Sequence, residues 1–325
     1  MNWFATELHT HTCHSDAAFT LPQLCDAAME ADLSLIALTD HNTLSGWEEI
    51  PDQCLPIIRG IEWTTFFGHM VILGANRYVD WRDASLDNID NKLREIRTAG
   101  GLIGIAHPFA LGSPMCTGCY WSFPVKRWEL VNYIEVWSEG FPAVQTASRR
   151  SRALWLSLLD KGYKIAATYG KDWHQKQFEP VPSACTYLGT EAERITTETA
   201  FTAISEGRSV VTMGPLISMQ LISKDKIFTV GDTVKAGKYH LSIRLDLQAR
   251  VRQWGRFNLI PQAFYLFDSK ERKLACIPVD SRTEYSLDLN LSRGYVRLEL
   301  LGTALGKECG LAFTSPVYVE QMDLK

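Results

Sequence analysis

Short apolar runs and helical repeats alternate along the first two thirds of the chain, and this alternation constrains the fold more than any other feature. The run LSLIALTD is largely apolar, as expected of a strand that is buried on both faces. The run LPQLCDAAMEADL repeats its apolar side chains at helical spacing instead, with Pro22 near its first turn. Repeated strand-then-helix units predict an α/β fold with a parallel sheet, and seven or so strands over roughly 210 residues favour a closed barrel over an open sheet.

The same region contains one predicted hairpin and three more predicted helices. The hairpin strands are PIIRGIEWT and HMVILGA, which the short segment FFG joins. The helical segments are SLDNIDNKLREIRTAGG, PAVQTASRRSRALWLSLLDKG and TTETAFTAISEGR.

The pattern changes after Gly214 and Pro215, where helical repeats give way to alternation with a period of two. In YHLSIRLDLQA the apolar side chains fall on one face and the polar ones on the other, and YSLDLNLSRGYVRLELLG repeats this across an Arg-Gly turn. No helix is predicted in this region. We therefore predict two domains, a barrel over residues 1–214 and a small all-β sandwich, an accessory domain, over residues 215–325.

The composition excludes two classes of partner. Because the formal net charge is -4, the chain offers no general attraction for phosphates, and no nucleic-acid partner is expected. The chain has neither an apolar run of about 18 residues nor a basic-then-apolar N-terminus, which predicts no membrane span and no signal peptide. The eight cysteines stand at irregular positions that suit reduced thiols, so a cytoplasmic location is expected.

One cysteine pair, Cys116 and Cys119, forms a CxxC in the loop SPMCTGCYW. Such a pair supplies half of a structural zinc site, and no second pair stands at metal-binding spacing. We therefore expect an incidental pair of loop cysteines.

Most histidines of the chain follow predicted strands, together with several acids. Seven of the eight histidines belong to this group, and only His240 lies outside it. Because the C-terminal ends of parallel strands converge on one rim of a barrel, these side chains are expected to lie together. Each alone has an ordinary structural explanation, but their gathering indicates a metal centre. The group comprises His9, His11, His14, Asp16, Asp40, His41, Glu62, His69, His107, Asp172 and His174.

The chemistry of this group suits divalent metal ions. His9 and His11 stand two residues apart, so both point the same way from one strand, and Asp172 and His174 repeat that spacing. Imidazoles and carboxylates without thiolates suit Mn, Fe or Zn rather than a structural zinc cage. Because the ligands are too many for one ion, two or three divalent ions are predicted.

These motifs resemble the polymerase and histidinol phosphatase (PHP) superfamily of metal-dependent hydrolases. Its four motifs are similar, in order, to ELHTHTCHSDA, ALTDHNT, GLIGIAHPF and YGKDWH. RGIEWTTFFGHMVILGA resembles the segment that carries the family's bridging glutamate and the histidine after it. The resemblance covers roughly residues 5–210. From GRSVVTMGPLI through VGDTV the chain resembles a branch in which a β-sandwich follows the barrel, and that branch includes carbamate-hydrolase relatives.

The resemblance implies a distorted seven-stranded (β/α) barrel with a trinuclear metal centre. By position, Glu62 would bridge the first two metals, and Asp40 would orient a ligand histidine. The first metal would be held by His9, His11 and Asp172, the second by His69 and His107, and the third by Asp16, His41 and His174.

Three positions depart from the family pattern without removing a ligand. Ala17 replaces the glycine that usually follows the first-motif aspartate, and Lys171 stands where a small residue usually precedes the fourth-motif aspartate. His14 adds an imidazole at a variable position. We expect a complete metal centre, with Lys171 and His14 at its rim.

The predicted function is hydrolysis of a small phosphate mono- or diester. A water shared by two metals would lose its proton and act as the nucleophile, while the metals neutralise the developing charge. Lys171 and Arg59 are candidates to seat the phosphate, although a surface ion pair is the preferred interpretation of Arg59. His14 could protonate the leaving oxygen or could be an exposed or supporting imidazole, which is the preferred interpretation. The candidate catalytic residues are Glu62, Asp172, His14 and Lys171.

Two other functions remain open. The same centre could cleave a carboxylic or carbamic ester, which needs an apolar slot rather than converging cations. Such a slot could be built from tryptophans near the motifs, namely Trp63, Trp121, Trp137 and Trp173. A metal-storing or assembly role is disfavoured, because structural metal sites are closed and have few ligands.

Overall fold

The computed structural model describes residues 1–51, 54–112, 118–176 and 181–321, and it shows a mixed α/β protein. Its strands form a large sheet and a second, smaller sheet. The strands before residue 214 are β1 (Asn2–Thr10), β2 (Leu35–Leu38), β3 (Ile57–Thr65), β4 (Gly68–Leu73), β5 (Leu102–Ile105), β6 (Tyr133–Ser138), β7 (Ala166–Gly170), β8 (Cys185–Thr190) and β9 (Ser209–Thr212). The later strands are β10 (Leu216–Ser223), β11 (Lys226–Thr229), β12 (Thr233–Lys235), β13 (Gly237–Asp246), β14 (Ile260–Asp268), β15 (Lys273–Pro278), β16 (Glu284–Leu291), β17 (Gly294–Ala304), β18 (Lys307–Thr314) and β19 (Val317–Glu320).

Four helices lie within the segments that have helical patterns. At the start of the first, Oε1 of Gln23 accepts a hydrogen bond from the backbone N–H of Thr20 at 2.9 Å, which caps the helix. The second is followed by Gly100, whose φ of +81° suits glycine. A fifth helix of four residues lies in the region where none was predicted. The helices are α1 (Leu21–Glu30), α2 (Ile89–Thr98), α3 (Thr146–Asp160), α4 (Thr197–Ser205) and α5 (Val251–Trp254).

The sheet is mixed, whereas the sequence predicted a parallel one. β1, β2 and β3 are parallel neighbours, and so are β5, β6 and β7. β4 runs antiparallel to both β3 and β5, which confirms the predicted hairpin. The physical reason is the short turn between β3 and β4, since parallel strands need a long crossover connection.

The large sheet curls so that β7 approaches β1, β8 and β9. Trp173, just past β7, forms an isolated parallel bridge with Thr10. Hydroxyl groups join the strands farther along: Oγ1 of Thr186 accepts the N–H of Tyr169 at 2.8 Å, and Oγ of Ser209 donates to the carbonyl of Ala167 at 2.7 Å. Among the described residues no ladder of backbone hydrogen bonds joins β7 to β1, so the closed barrel stays a prediction.

The large sheet continues past the predicted domain boundary. β9 pairs with β18 in antiparallel fashion, and β17, β19, β12, β14 and β15 extend the sheet from there. The second sheet has the order β11-β10-β13-β16. On β13 the predicted period of two is present, since Leu241, Ile243 and Leu245 are buried. The boundary at residues 214 and 215 stays a prediction.

None of the helices in the described parts of the chain has the length and apolar character needed to cross a membrane. The cytoplasmic location stays a prediction.

A buried ion cluster links α3 to β17. The Arg297 side chain is fully buried and contacts the carboxylates of Glu271 and Glu299. Arg152 on α3 lies 2.6 Å from Glu299 and 2.8 Å from Glu271. Burial alone would raise the pKa of Glu299, but Arg297 and Arg152 hold it below its usual range. The cluster therefore depends on a charged Glu299.

We expect Glu299→Gln to lower the free energy of unfolding by about 1–3 kcal/mol at pH 7, because it removes one of the two carboxylates that pair with the buried Arg297 guanidinium and leaves only Glu271. Since the folded pKa of Glu299 is depressed, this stabilisation is present above about pH 4.3, the unfolded value, and is lost as the pH falls through the folded pKa. Urea unfolding at several pH values measures it. Glu308→Gln, the same change at an exposed position of β18, is the control, and equal stability of the two variants at pH 7 would contradict the prediction.

Candidate metal centre

Two histidines of β1 and its extension meet a glutamate and an aspartate at one end of the sheet. Nε2 of His9 lies 3.1 Å from Oε2 of Glu62 and 3.3 Å from Oδ1 of Asp172. Nε2 of His11 lies 3.4 Å and 3.0 Å from the same two oxygens. The ligand atoms of these four residues lie within 4.8 Å of one another, so they could surround a single ion.

The other carboxylate oxygen of Glu62 faces a second group. Oε1 of Glu62 lies 3.0 Å from Nδ1 of His69 and 3.2 Å from Nε2 of His107. The β3–β4 hairpin brings Glu62 and His69 together, because His69 pairs with Thr64, two residues along β3. Glu62 thus touches both groups with different oxygens, which is the position of a bridging ligand.

A third group contains His11, Asp16, His41 and His174, whose ligand atoms also lie within 4.8 Å of one another. Oδ1 of Asp16 lies 3.1 Å from Nε2 of His174 and 3.6 Å from Nε2 of His41. This group is the open one: the Asp16 side chain is 58% exposed, whereas His9 and Glu62 are fully buried. All nine predicted ligands lie in the three groups, and their binding of metal stays a prediction.

Several buried polar atoms of these groups have no hydrogen-bond partner within the described residues. They are Nε2 of His9, both ring nitrogens of His11, Oε2 of Glu62, Nδ1 of His107 and Oδ1 of Asp172. Leaving a buried donor or acceptor unpaired costs about 1–3 kcal/mol, so such atoms are rare. Imidazole nitrogens and carboxylate oxygens gathered in this way fit divalent cations, which would supply the missing partners.

The carboxylates of the centre hold their charge although they are buried. Burial raises the pKa of Glu62, but the surrounding histidines, His9 foremost, lower it to well below its usual range. Burial also raises the pKa of Asp172, and His9 and His11 bring it below its usual range. Ionised carboxylates are the form that binds a cation.

Two predicted ligands lie on left-handed backbone. The angle φ is +26° at His107 and +50° at Asp172, a region that residues other than glycine rarely adopt. Such strain costs on the order of 1–3 kcal/mol and persists only where surrounding contacts impose it. At His107 one such contact is the hydrogen bond that its backbone N–H donates to Oε2 of Glu135 at 2.8 Å.

Sequence reasoning missed Glu135, which lies on β6. Its Oε1 lies 2.8 Å from Nδ1 of His9, so a protonated Nδ1 donates to it. Nε2 of His9 then keeps a lone pair for a metal. Gly170 makes this possible, because a Cβ there would lie 2.2 Å from the carboxyl carbon of Glu135. The available signal was an acid within the apolar run YIEVW, since glutamate is rarely buried.

Glu7 is a second buried acid that the sequence analysis did not single out. Its Oε1 accepts hydrogen bonds from the backbone N–H groups of His9 at 3.1 Å and Lys171 at 3.0 Å. Burial raises the pKa of Glu7 to about 8. This carboxyl group ties β1 to the segment that carries Asp172.

The structure assigns Asp40 partners other than the predicted ligand histidine. Its Oδ1 accepts hydrogen bonds from the backbone N–H of Thr12 at 2.7 Å and from Oγ of Ser15 at 2.8 Å. Its Oδ2 accepts the hydroxyl of Thr12 at 2.8 Å. Asp40 therefore holds the turn that bears Asp16, because its carboxylate accepts the hydrogen bonds that the backbone and hydroxyl groups of this turn donate.

The histidine predicted at the rim lies outside the three groups. Nδ1 of His14 is 2.8 Å from Oγ of Ser45, and Nε2 is 3.1 Å from Oε1 of Glu49. Its part in catalysis stays a prediction.

The two predicted phosphate-seating cations face elsewhere. Nζ of Lys171 lies 3.5 Å from the centre of the Trp173 ring, in a cavity that none of the nine predicted ligands lines. Arg59 is exposed and lies over the ring of Trp47. Lys171 lies directly before Asp172 in the chain. Because the Asp172 side chain faces the metal groups, the Lys171 side chain lies on the other side of the segment. These positions give the predicted roles no support.

One member of the predicted pair of loop cysteines, Cys116, lies outside the described residues. Cys119 is buried.

Comparisons with known proteins agree with this geometry. Residues 7–107 match the sequence model of the PHP domain family, which confirms the resemblance for that part of the chain. No sequence among curated proteins matches the chain.

A solved structure aligns with the chain over nearly its whole length. A crystal structure from Bacteroides vulgatus ATCC 8482 is described as a two-domain protein containing a predicted PHP-like metal-dependent phosphoesterase. It aligns with a TM-score of 0.51 at 15% identity and covers 97% of this chain and 95% of its own, which indicates a shared fold. A protein from Bifidobacterium adolescentis ATCC 15703, provisionally described as a metal-dependent phosphoesterase, aligns with a TM-score of 0.40 at 16% identity over 61% of this chain and 94% of its own.

We expect Glu135→Gln to weaken metal binding by about 10–100-fold, the usual cost of losing the partner that orients a ligand histidine. The amide can donate to Nδ1 of His9, which would move the ring proton to the nitrogen that faces Asp172. Mn²⁺ titration followed by electron paramagnetic resonance measures the affinity. Glu139→Gln, the same change at an exposed position, is the control, and equal affinities of the two variants would refute the assignment.

Proposed function

We propose that this chain, whose residues 7–107 match the PHP domain family, is a metal-dependent hydrolase that cleaves a small phosphate mono- or diester. The observation that carries the proposal is the arrangement around Glu62, which joins two groups of imidazole and carboxylate ligands, with a third group adjoining through His11. Many of these buried ligand atoms have no hydrogen-bond partner within the described residues. Storage or structural sites have no need of so many ligands in a partly open arrangement.

The proposed ligands follow the three groups. His9, His11 and Asp172 would hold the first ion, and Glu62 would bridge it to the second. His69 and His107 would complete the second site, while Asp16, His41 and His174 would hold the third. Divalent ions in such centres lower the pKa of water and neutralise charge on phosphoryl oxygens. Mn, Fe and Zn all suit this donor set.

The chain's own residues position and expose this centre. Glu135 holds the His9 ring in one orientation, and Asp40 holds the turn that bears Asp16. The Asp16 and His174 side chains are 58% and 30% exposed, so the substrate would approach past the third group. His14 lies on the same turn as Asp16, with its ring between Ser45 and Glu49. It would supply a proton to the leaving oxygen.

One feature favours the alternative of carboxylic or carbamic ester hydrolysis. Phe109, two residues after His107, packs edge-on against Tyr120, and Arg150 lies 4.5 Å from the Phe109 ring centre. An aromatic surface that closely follows a predicted ligand suits an aryl leaving group. Phosphate esters and carboxylic or carbamic esters therefore have to be compared as substrates.

A paired assay on the Mn²⁺-reconstituted chain tests the proposal. One arm offers p-nitrophenyl phosphate and bis(p-nitrophenyl) phosphate, and the other offers p-nitrophenyl acetate and an aryl carbamate. We expect metal-dependent release of nitrophenol from a phosphate. His9→Ala and Asp172→Ala should lower kcat/KM by about 100-fold or more, since losing a ligand costs more than losing its orienting partner.

The matched control is His240→Ala, because His240 lies on β13 and pairs with the exposed Asp288. It should keep the wild-type rate. Cleavage of the acetate or carbamate with inert phosphates would replace the proposal with the alternative. Phosphate cleavage that survives His9→Ala would show that another site, or a contaminant, is responsible.

A further inference from the structure

A cavity of about 470 Å³ lies behind the segment that carries Asp172. Its walls come from α1, from residues 171–176 and 181–184, and from residues 250–256 of the C-terminal part of the chain. Lys171 and Trp173 contribute to this wall, whereas Asp172 between them belongs to the metal groups. The cavity and the candidate metal centre therefore lie on opposite sides of one short segment.

The wall of this cavity is strongly basic, although the chain as a whole has a net charge of -4. Among the described residues of the wall, two acids, Glu7 and Glu30, accompany the basic residues. The basic residues are Lys171, Lys176, Arg250, Arg252 and Arg256. A concentration of positive charge in an acidic protein is not explained by general composition.

Two of the five cations are neutralised by ion pairs. Lys176 lies 2.6 Å from Oε2 of Glu30, and Arg252 contacts Asp32. Those pairs leave three basic residues whose charges need a different explanation.

The other three have no carboxylate within 4.0 Å among the described residues. Arg250 donates from Nε and Nη2 to the carbonyl of Ala31, at 3.0 and 2.8 Å. Lys171 and Arg256 rest on the rings of Trp173 and Phe257. The remaining acid, Glu7, accepts backbone N–H groups with its Oε1. Within the described part of the wall, three cations thus face one carboxyl group, which leaves a positive site.

Hydrogen bonds hold part of the cavity wall in a defined conformation. Besides the Arg250 contacts, Gln253 on α5 donates to the carbonyl of Glu30 at 2.8 Å and to Asp32 at 3.0 Å. These bonds cap the C-terminal end of α1 at the carbonyls of Glu30 and Ala31. They also hold Arg250 and Gln253 against α1, so the Arg250 guanidinium is fixed before any ligand arrives.

We propose that this cavity binds a small molecule with a multiply charged phosphate group, at a site separate from the metal centre. Three unpaired cations match the two to four negative charges of a phosphate or diphosphate, and guanidinium groups bind such oxygens in pairs. The volume lies within the range of small-ligand pockets and is too small for a polymer. The site does not depend on the chemistry of the metal centre.

Pyrophosphate is the probe for this site. Isothermal titration of the full-length chain, in buffer without added divalent metal, should show one saturable site. Arg256→Glu should weaken binding by about tenfold or more, because it removes a charged hydrogen-bond donor and adds a repulsive charge. Arg293→Glu, the same charge change at an exposed turn residue outside the cavity, should change the affinity by less than about twofold.

Two more arms separate the cavity from the metal centre and phosphate from carboxylate. His9→Ala should bind pyrophosphate as the wild type does, and malonate should bind at least about tenfold more weakly than pyrophosphate. Pyrophosphate should also raise the melting temperature of the wild type and not that of Arg256→Glu. Binding that disappears in His9→Ala and survives Arg256→Glu would place the anion at the metal centre and overturn the proposal. Equal losses in both charge-reversed variants, no saturable site, or malonate binding as tight as pyrophosphate would overturn it as well.

Discussion

The structure depends on the burial of one carboxylate, that of Glu62. A fully buried glutamate without partners would give up its charge, because an isolated ion is very costly to remove from water. Here the surrounding imidazoles keep it charged, and its two oxygens face different sets of them. The histidines with a ring nitrogen near Glu62 are His9, His11, His41, His69 and His107. The centre is therefore organised from the inside outward, with Glu62 at its middle.

The order and direction of the strands bring these side chains together. Strands β1, β2 and β3 run in parallel, and the β3–β4 hairpin turns the chain so that His69 returns to Glu62. β5 pairs with β4 and leads into His107. β6 pairs with β5 and carries Glu135, which accepts the backbone N–H of His107. A purely parallel sheet would separate Glu62 and His69 by a crossover helix. The short connection that makes β4 antiparallel thus also brings His69 back to Glu62.

Sequence reasoning predicted the candidate ligands because imidazoles and carboxylates recur after successive predicted strands. It reached the hairpin because FFG is too short for any other connection. The structure places the Lys171 ammonium away from the nine predicted ligands, because the adjacent side chains diverge there and only Asp172 faces the metal groups. Glu135 was missed because a single acid in an apolar strand belongs to no recognisable motif. Its role depends on a contact with His9, which lies 126 residues earlier in the chain.

The sequence by itself determined the alternation of strands and helices, the change of pattern near residue 214, and the set of side chains able to bind divalent ions. These are local properties, carried by periodicity and by residue type. Only the tertiary structure decided which oxygen of Glu62 faces which histidine, that Asp40 supports a turn, and that the large sheet runs on from β9 into β18. The reason is physical: partners far apart in the chain are selected by packing and by the pairing of buried polar groups, and neither is written in any short segment.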